Sequence, residues 1–167
     1  MPRTARPGRG GDSPPPSDSG TVLDLGCGSG QLARRLIRKG YETLWLDLAP
    51  DGGYLADLRN PGLFRPCDLG TSGLPEALRN IPVRTVVSLD AVAYLRDPRR
   101  FLNFIRRLLE ANGGGTVVLT APYHGYLKNL MLSLFDGWDD RWDALSAGGC
   151  IKCWSRYTLT RLLEESG

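Results

Sequence analysis

Hydrophobic positions along the chain follow two rhythms: short apolar runs, and longer stretches in which apolar side chains recur every three or four residues. The first kind marks buried strands and the second amphipathic helices. Runs at 21–25, 43–48, 63–67, 83–89 and 116–120 predict strands; Pro66 removes a backbone donor from the third and predicts a place at a sheet edge. Helical spacing predicts a helix over 31–39, carried by Leu32, Ala33, Leu36 and Ile37 and stopped by Gly40. Another, over 98–111, opens at Asp97-Pro98 and is carried by Phe101, Leu102, Ile105, Leu108 and Leu109. The signals over 51–60 and 74–80 are weaker and predict short helices at most. Leu127, Leu130, Met131, Leu134 and Phe135 form a further stripe at helical spacing, expected to pack into the core. Ser155 is placed to cap a last helix bearing Leu159, Leu162 and Leu163.

Residues 1–20 break both rhythms. They are proline, glycine, serine and arginine with almost no apolar side chains, which reads as a disordered leader ahead of a domain over 21–167. Strands alternating with helices imply right-handed crossovers and an α/β fold, a doubly wound, mostly parallel sheet of about five strands. That arrangement gathers the carboxyl ends of the strands on one rim, where ligands of such sheets bind. The glycines at 26, 28 and 30, the acids Asp47, Asp68 and Asp90, and the segment after Thr120 are all expected there.

Composition narrows the class without changing the fold. The 167 residues are 41% hydrophobic and 23% charged, and no apolar run approaches the ~20 residues of a membrane span, so a cytoplasmic protein is expected. Cys27, Cys67, Cys150 and Cys153 are then read as reduced thiols. A formal charge of +3 is too mild to indicate nucleic acid, and Arg34, Arg35, Arg38, Lys39, Arg99, Arg100, Arg106 and Arg107 fall on the outer faces of the two strongest helices. Cys150-x-x-Cys153 lacks a second ligand pair, so no metal site is assigned and plain burial is expected of the two thiols. The aspartates at 136, 139, 140 and 143 lack the spacing of a calcium loop and are read as solvated surface.

The chemistry concentrates in Thr21-Val-Leu-Asp-Leu-Gly-Cys-Gly-Ser-Gly30. A buried strand that breaks into glycines at alternate positions before a helix describes a tight turn whose backbone a ligand can touch, because no side chain forbids φ > 0 or fills the space. Asp47 ends the second strand seventeen residues later, near the ~20-residue offset at which a strand-end carboxylate takes ribose hydroxyls. A nicotinamide oxidoreductase is one reading of that pair. The usual dinucleotide loop, however, is Gly-x-Gly-x-x-Gly, and position 31 here is Gln.

The order Asp24-Leu-Gly-Cys-Gly-Ser-Gly30 instead resembles the first motif of the class I S-adenosylmethionine-dependent methyltransferases, which have a Rossmann-like sheet. Val86-Val-Ser-Leu-Asp90 is similar to that family's fourth-strand motif. Pro122-Tyr-His-Gly-Tyr-Leu-Lys-Asn129 and Ile151-Lys-Cys-Trp-Ser155 resemble a bacterial branch that acts mainly on small molecules. The resemblance implies S-adenosylmethionine as cofactor. Its methionine part would meet Asp24, Gly26, Cys27, Gly28 and Gly30, its ribose Asp47 and Leu48, and its adenine Asp68 and Leu69, with Leu89 and Asp90 beside it. Relatives have an acid-His pair where this chain has Ala93-Tyr94, and commonly a histidine at the position of Cys150. They also carry a helix before the first strand and two strands after the last helix, and the truncated form expected here would leave the fifth strand as an open edge able to pair with a second copy.

Methyl transfer needs proximity and in-line orientation more than acid-base chemistry. His124, the only histidine, is the candidate base for a protonated nucleophile, with Tyr94 as a second catalytic candidate and Asp90 and Tyr123 on the substrate side. The expected activity is methyl transfer to an oxygen or other nucleophile of a small molecule. A cofactor-binding domain without turnover is the alternative that the truncation and Tyr94 suggest.

Overall fold

The computed structural model describes residues 20–47, 64–66, 78, 81–135, 137–138 and 150–167. Five strands, β1 (Thr21–Leu25), β2 (Thr43–Asp47), β3 (Phe64–Pro66), β4 (Val83–Ser88) and β5 (Thr116–Leu119), form one sheet in the order β3-β2-β1-β4-β5. Every pairing in it is parallel. The chain builds outward from β1 to β3, then returns to the other side of β1 to lay down β4 and β5. The order therefore reverses between β1 and β4, the place where an open parallel sheet leaves a crevice at its carboxyl ends. The third strand lies at an edge, as its proline requires.

β1 is buried along its whole length, which an all-parallel central strand demands of its side chains. Leu23 and Leu25 face one side of the sheet and join Leu46, Val83 and Val86 in the main core. Helix α2 (Pro98–Ala111) covers this face with Phe101, Leu102, Ile105, Leu108 and Leu109, and α4 (Arg156–Ser166) packs on α2 with Leu162. Each fully buried leucine, isoleucine or phenylalanine contributes about 1.5–3 kcal/mol against conformational entropy. By the two-residue period of a strand, Val22 and Asp24 take the opposite face, together with Trp45, the register partner of Asp24 on β2.

Local signals set the helix ends as expected. Asp97 accepts from the Arg100 N–H at 2.9 Å with Pro98 in the first turn. Ser155 and Thr158 exchange side-chain and backbone hydrogen bonds in a capping box at the start of α4. Helix α1 (Gln31–Arg38) packs against β2, with Ala33 fully buried and Ile37 exposed.

Two expectations fail. The stripe from Leu127 to Phe135 falls largely on α3 (Tyr126–Leu134), but no residue of that helix is buried; Tyr126 is 81% exposed, Leu127 68% and Phe135 77%. The helix starts beyond the carboxyl rim and has no sheet face to lie on among the described residues, so the stripe is surface rather than core. Nor is the cysteine pair buried, since Cys150 is half-buried and Cys153 exposed. The segment that carries them lies outside the sheet, its backbone tied to the Ala93 carbonyl by Ile151 and Lys152. Residues 1–19, all of 51–60, all of 74–80 but Leu78, and the aspartates at 136, 139, 140 and 143 lie outside the described residues. No helix among the described residues is long and apolar enough to cross a membrane.

β5 is the other edge. Its pattern is exposed throughout except for Leu119, with Val117 39% and Val118 45% open to solvent. A cavity of about 320 Å³ lies beside its start, bordered by Leu102, Ile105 and Leu109 of α2 and by Leu163 of α4.

Candidate cofactor site at the carboxyl rim

The loop from β1 into α1 is shaped by its glycines. Gly26, Gly28 and Gly30 have φ of 76°, 50° and 69°, values that L side chains adopt only at a cost. The Gly26 and Cys27 N–H groups donate to the Leu46 carbonyl at 2.8 and 3.3 Å, which ties the loop to the end of β2. The Gly30 N–H donates to the Cys27 carbonyl at 2.8 Å, closing the turn. Asp47, at the carboxyl end of β2, accepts the Gly28 N–H on Oδ2 at 2.5 Å. The acid that the sequence pairs with the loop thus also holds it in shape. Beyond its chain neighbours, a Cβ built on Gly28 would meet no heavy atom of the described residues within 4 Å, so the loop leaves open space at that position.

In the strand that leads into the loop, Asp24 is 2% exposed, and its Oδ2 has no hydrogen-bond partner among the described residues. Burial, and then the neighbouring charge of Asp47, push its carboxyl up to about 7. Cys27 is affected the same way: burial, then Asp24 and Asp47, push its thiol up to about 12. An unpartnered buried carboxylate costs free energy unless a cation or donor reaches it, so the loop floor favours a positively charged ligand group. Helix α1, with Gly30 at its N-cap, has no side-chain cap hydrogen bond and no acid in its first turn.

The other wall of the crevice is the end of β4. The Ser88 hydroxyl donates to the Leu25 carbonyl at 2.8 Å and pins β4 to β1 just before the glycine loop. Leu89 and Asp90 follow, both exposed on the rim, and Asp90 holds φ 61° beside Thr120. A short 3₁₀ turn, Ala91–Ala93, leads to Tyr94, 52% exposed. The His124 N–H donates to the Trp154 carbonyl at 2.8 Å, and Tyr123 bridges to Trp154, whose indole donates to the Val92 carbonyl. The rim thus brings together Asp24, Gly26, Cys27, Gly28, Gly30, Asp47, Leu89 and Asp90, with Tyr94 and His124 beyond β4 and β5. Leu48, Asp68 and Leu69 lie outside the described residues. No group of histidine, cysteine or acidic side chains among the described residues is placed to hold a metal ion.

Sequence reasoning did not single out Ser88 or Thr120. Ser88 ends β4 and Thr120 follows β5, but neither is the charge that marked the end of β2, so the amino-acid order gave no signal for them.

The chain matches the family model of a methyltransferase domain over residues 9–167. Over 103 residues it is 30% identical to a ubiquinone biosynthesis O-methyltransferase of Cereibacter sphaeroides, a match that takes in 60% of this chain and 41% of that protein. Among solved structures it is similar to a methyltransferase chain from the complex with the Haloferax volcanii Trm112 activator, at TM-score 0.63 and 24% identity over 92% of this chain and 63% of that one. An Archaeoglobus fulgidus SAM-dependent methyltransferase gives TM-score 0.58 and 21% identity over 90% and 61%. At these identities the likeness is one of fold. The chain spans less than half the length of the curated relatives it matches.

Proposed function

The chain belongs to the methyltransferase domain family, for which S-adenosylmethionine is the implied cofactor, and from that premise we propose that its carboxyl rim binds this cofactor for methyl transfer to a nucleophile of a small molecule. The observation that carries the reading is the open space at Gly28 in the loop that follows the buried Asp24, whose Oδ2 has no partner among the described residues. The site fits the group: backbone bare of side chains admits close approach, and a carboxylate that lacks a partner suits a ligand that carries an ammonium and a sulfonium.

When bound, S-adenosylmethionine would supply a methyl group already activated on sulfur. The residues of this chain do the rest. Gly26, Gly28 and Gly30 cradle the amino-acid end, with Asp24 and Cys27 as its floor, and the protonated thiol of Cys27 packs as a neutral side chain. Asp47, with Leu48, takes the ribose hydroxyls, and Asp68 and Leu69 receive the adenine. Leu89 and Asp90 border the methyl side. His124 serves as base where the acceptor must lose a proton, with Tyr94 as a second candidate on the β4 side. The similarity to an enzyme named for O-methylation supports an oxygen acceptor. Orientation of the two reactants supplies the greater part of the acceleration, because the leaving group needs no proton.

Calorimetric titration with S-adenosylmethionine and with NAD is the test. Saturable binding of the first and none of the second is expected; binding of neither, or of NAD alone, overturns the reading. The open β5 edge further supports pairing with a second copy. Sedimentation of the chain should then show concentration-dependent dimers, and Val118→Lys, which puts a charge on the edge, should leave monomers. A wild-type chain that stays monomeric at all concentrations removes the pairing.

A further inference from the structure

β4 and β5 end on the rim in a mutual clasp. The Thr120 hydroxyl donates to Asp90 Oδ1 at 2.9 Å and accepts the Asp90 N–H at 3.0 Å. The Thr120 carbonyl accepts that same N–H at 3.2 Å, and the Thr120 N–H donates to the Ser88 carbonyl at 3.0 Å. Asp90 is the one non-glycine residue with positive φ among the described residues. A left-handed conformation is uncommon outside glycine, and side chains held in one cluster at functional sites. The clasp supplies the restraint and occupies one carboxylate oxygen. The other, Oδ2, has no protein hydrogen bond among the described residues, and the residue is exposed on the rim.

Topology decides which part of a ligand Asp90 meets. β1 lies between β2 and β4, so the glycine loop has Asp47 on one side and Asp90 on the other. With the ribose on Asp47, the opposite end of the cofactor runs toward the β4 side, where the sheet order reverses. A carboxylate there sits on the side of the charged sulfur.

We propose that Thr120 is a positioning residue that aims the Asp90 carboxylate at the sulfonium end of bound S-adenosylmethionine, so that the pair sets a preference for the charged methyl donor over its uncharged thioether product. The proposal rests on the cofactor reading above. A fixed negative charge attracts the sulfonium and does nothing comparable for a thioether; a carboxylate released from the clasp spreads over several rotamers and loses that selectivity.

Calorimetric titration of the full chain with S-adenosylmethionine and with S-adenosylhomocysteine tests this in wild type, Thr120→Val, Thr120→Ser, Asp90→Asn and the Thr120→Val/Asp90→Asn double variant. Thr120→Val and Asp90→Asn should each lower donor affinity about tenfold, with product affinity within about twofold of wild type. Thr120→Ser keeps the hydroxyl and should keep the selectivity, and the double variant should be no worse than Asp90→Asn alone. Equal losses for both ligands, no loss for either, or a serine variant as impaired as the valine overturn the proposal. Asp90→Asn is an isosteric change at an exposed position and carries the test even where Thr120→Val fails to fold. A wild-type chain that binds neither ligand defeats the cofactor reading itself, a result distinct from wild-type binding without a change of selectivity in the variants.

Discussion

Replacing Gly28 with alanine is expected to leave the domain folded and remove most of its affinity for S-adenosylmethionine. Beyond its chain neighbours, the added methyl meets no atom of the described residues within 4 Å, so the cost to the fold is that of the left-handed backbone, about 1–2 kcal/mol. That same methyl stands in the space a ligand needs against the loop. A loss of at least about tenfold in calorimetric affinity is expected, with a cooperative thermal melt retained by circular dichroism. Gly115→Ala is the contrasting control. Its Cβ would lie 2.5 Å from the Arg84 carbonyl oxygen and 2.7 Å from Leu109, in the packing between β4, β5 and α2, so it should damage stability far more than Gly28→Ala does. Unchanged affinity in Gly28→Ala would remove the loop from the binding site.

The second large effect is expected from Asp24→Asn. The folded protein holds the Asp24 carboxyl at about 7, whereas its ordinary value is 3.8. Between those values the native state keeps a proton that the unfolded chain releases, so this group's contribution falls as pH rises from about 4 to about 7 and is level on either side. At about 1.4 kcal/mol per unit over roughly three units, the loss is on the order of 4 kcal/mol. Asparagine has no such proton to lose. The variant should therefore be more stable than wild type at pH 8, by denaturant unfolding, and its stability should depend less on pH across that window. It should also bind S-adenosylmethionine more weakly, because the free energy spent on burying a lone carboxylate is what makes the loop floor attractive to a cation. Parallel pH-stability curves for the two proteins would show that Asp24 is ionised in the folded state.

Much of this site was legible in the amino-acid order. Thr21–Leu25 is uniformly apolar apart from Thr21 and Asp24 because the middle strand of a parallel sheet is buried on both faces, and the alternating glycines follow at once. Asp47 could be found because a charge that ends an apolar run marks a strand's carboxyl end. The stripe on α3 could not be placed, since helical period records that one face is apolar and says nothing of what lies opposite it. The lone oxygen of Asp24 was equally hidden: an acid in a strand reads the same whether a neighbour satisfies it or none does. Thr120 escaped for a related reason. Threonine is ordinary in strands, and only the register of β4 against β5 brings its hydroxyl to Asp90.

The central position of β1 also bears on when the site can exist during synthesis. β2 follows β1 after a short helix, but β4, the other neighbour of β1, arrives much later, and the Ser88 hydroxyl that pins the end of β1 is 63 residues from its acceptor, Leu25. The Asp90 clasp waits a further 30 residues, until Thr120 is made. Contacts this distant in the chain are closed late, after the entropy of a long loop has been overcome. The glycine loop thus leaves the ribosome well before the strands that enclose it, and a nascent chain that stops short of β4 carries the cofactor motif without the cleft that would make use of it.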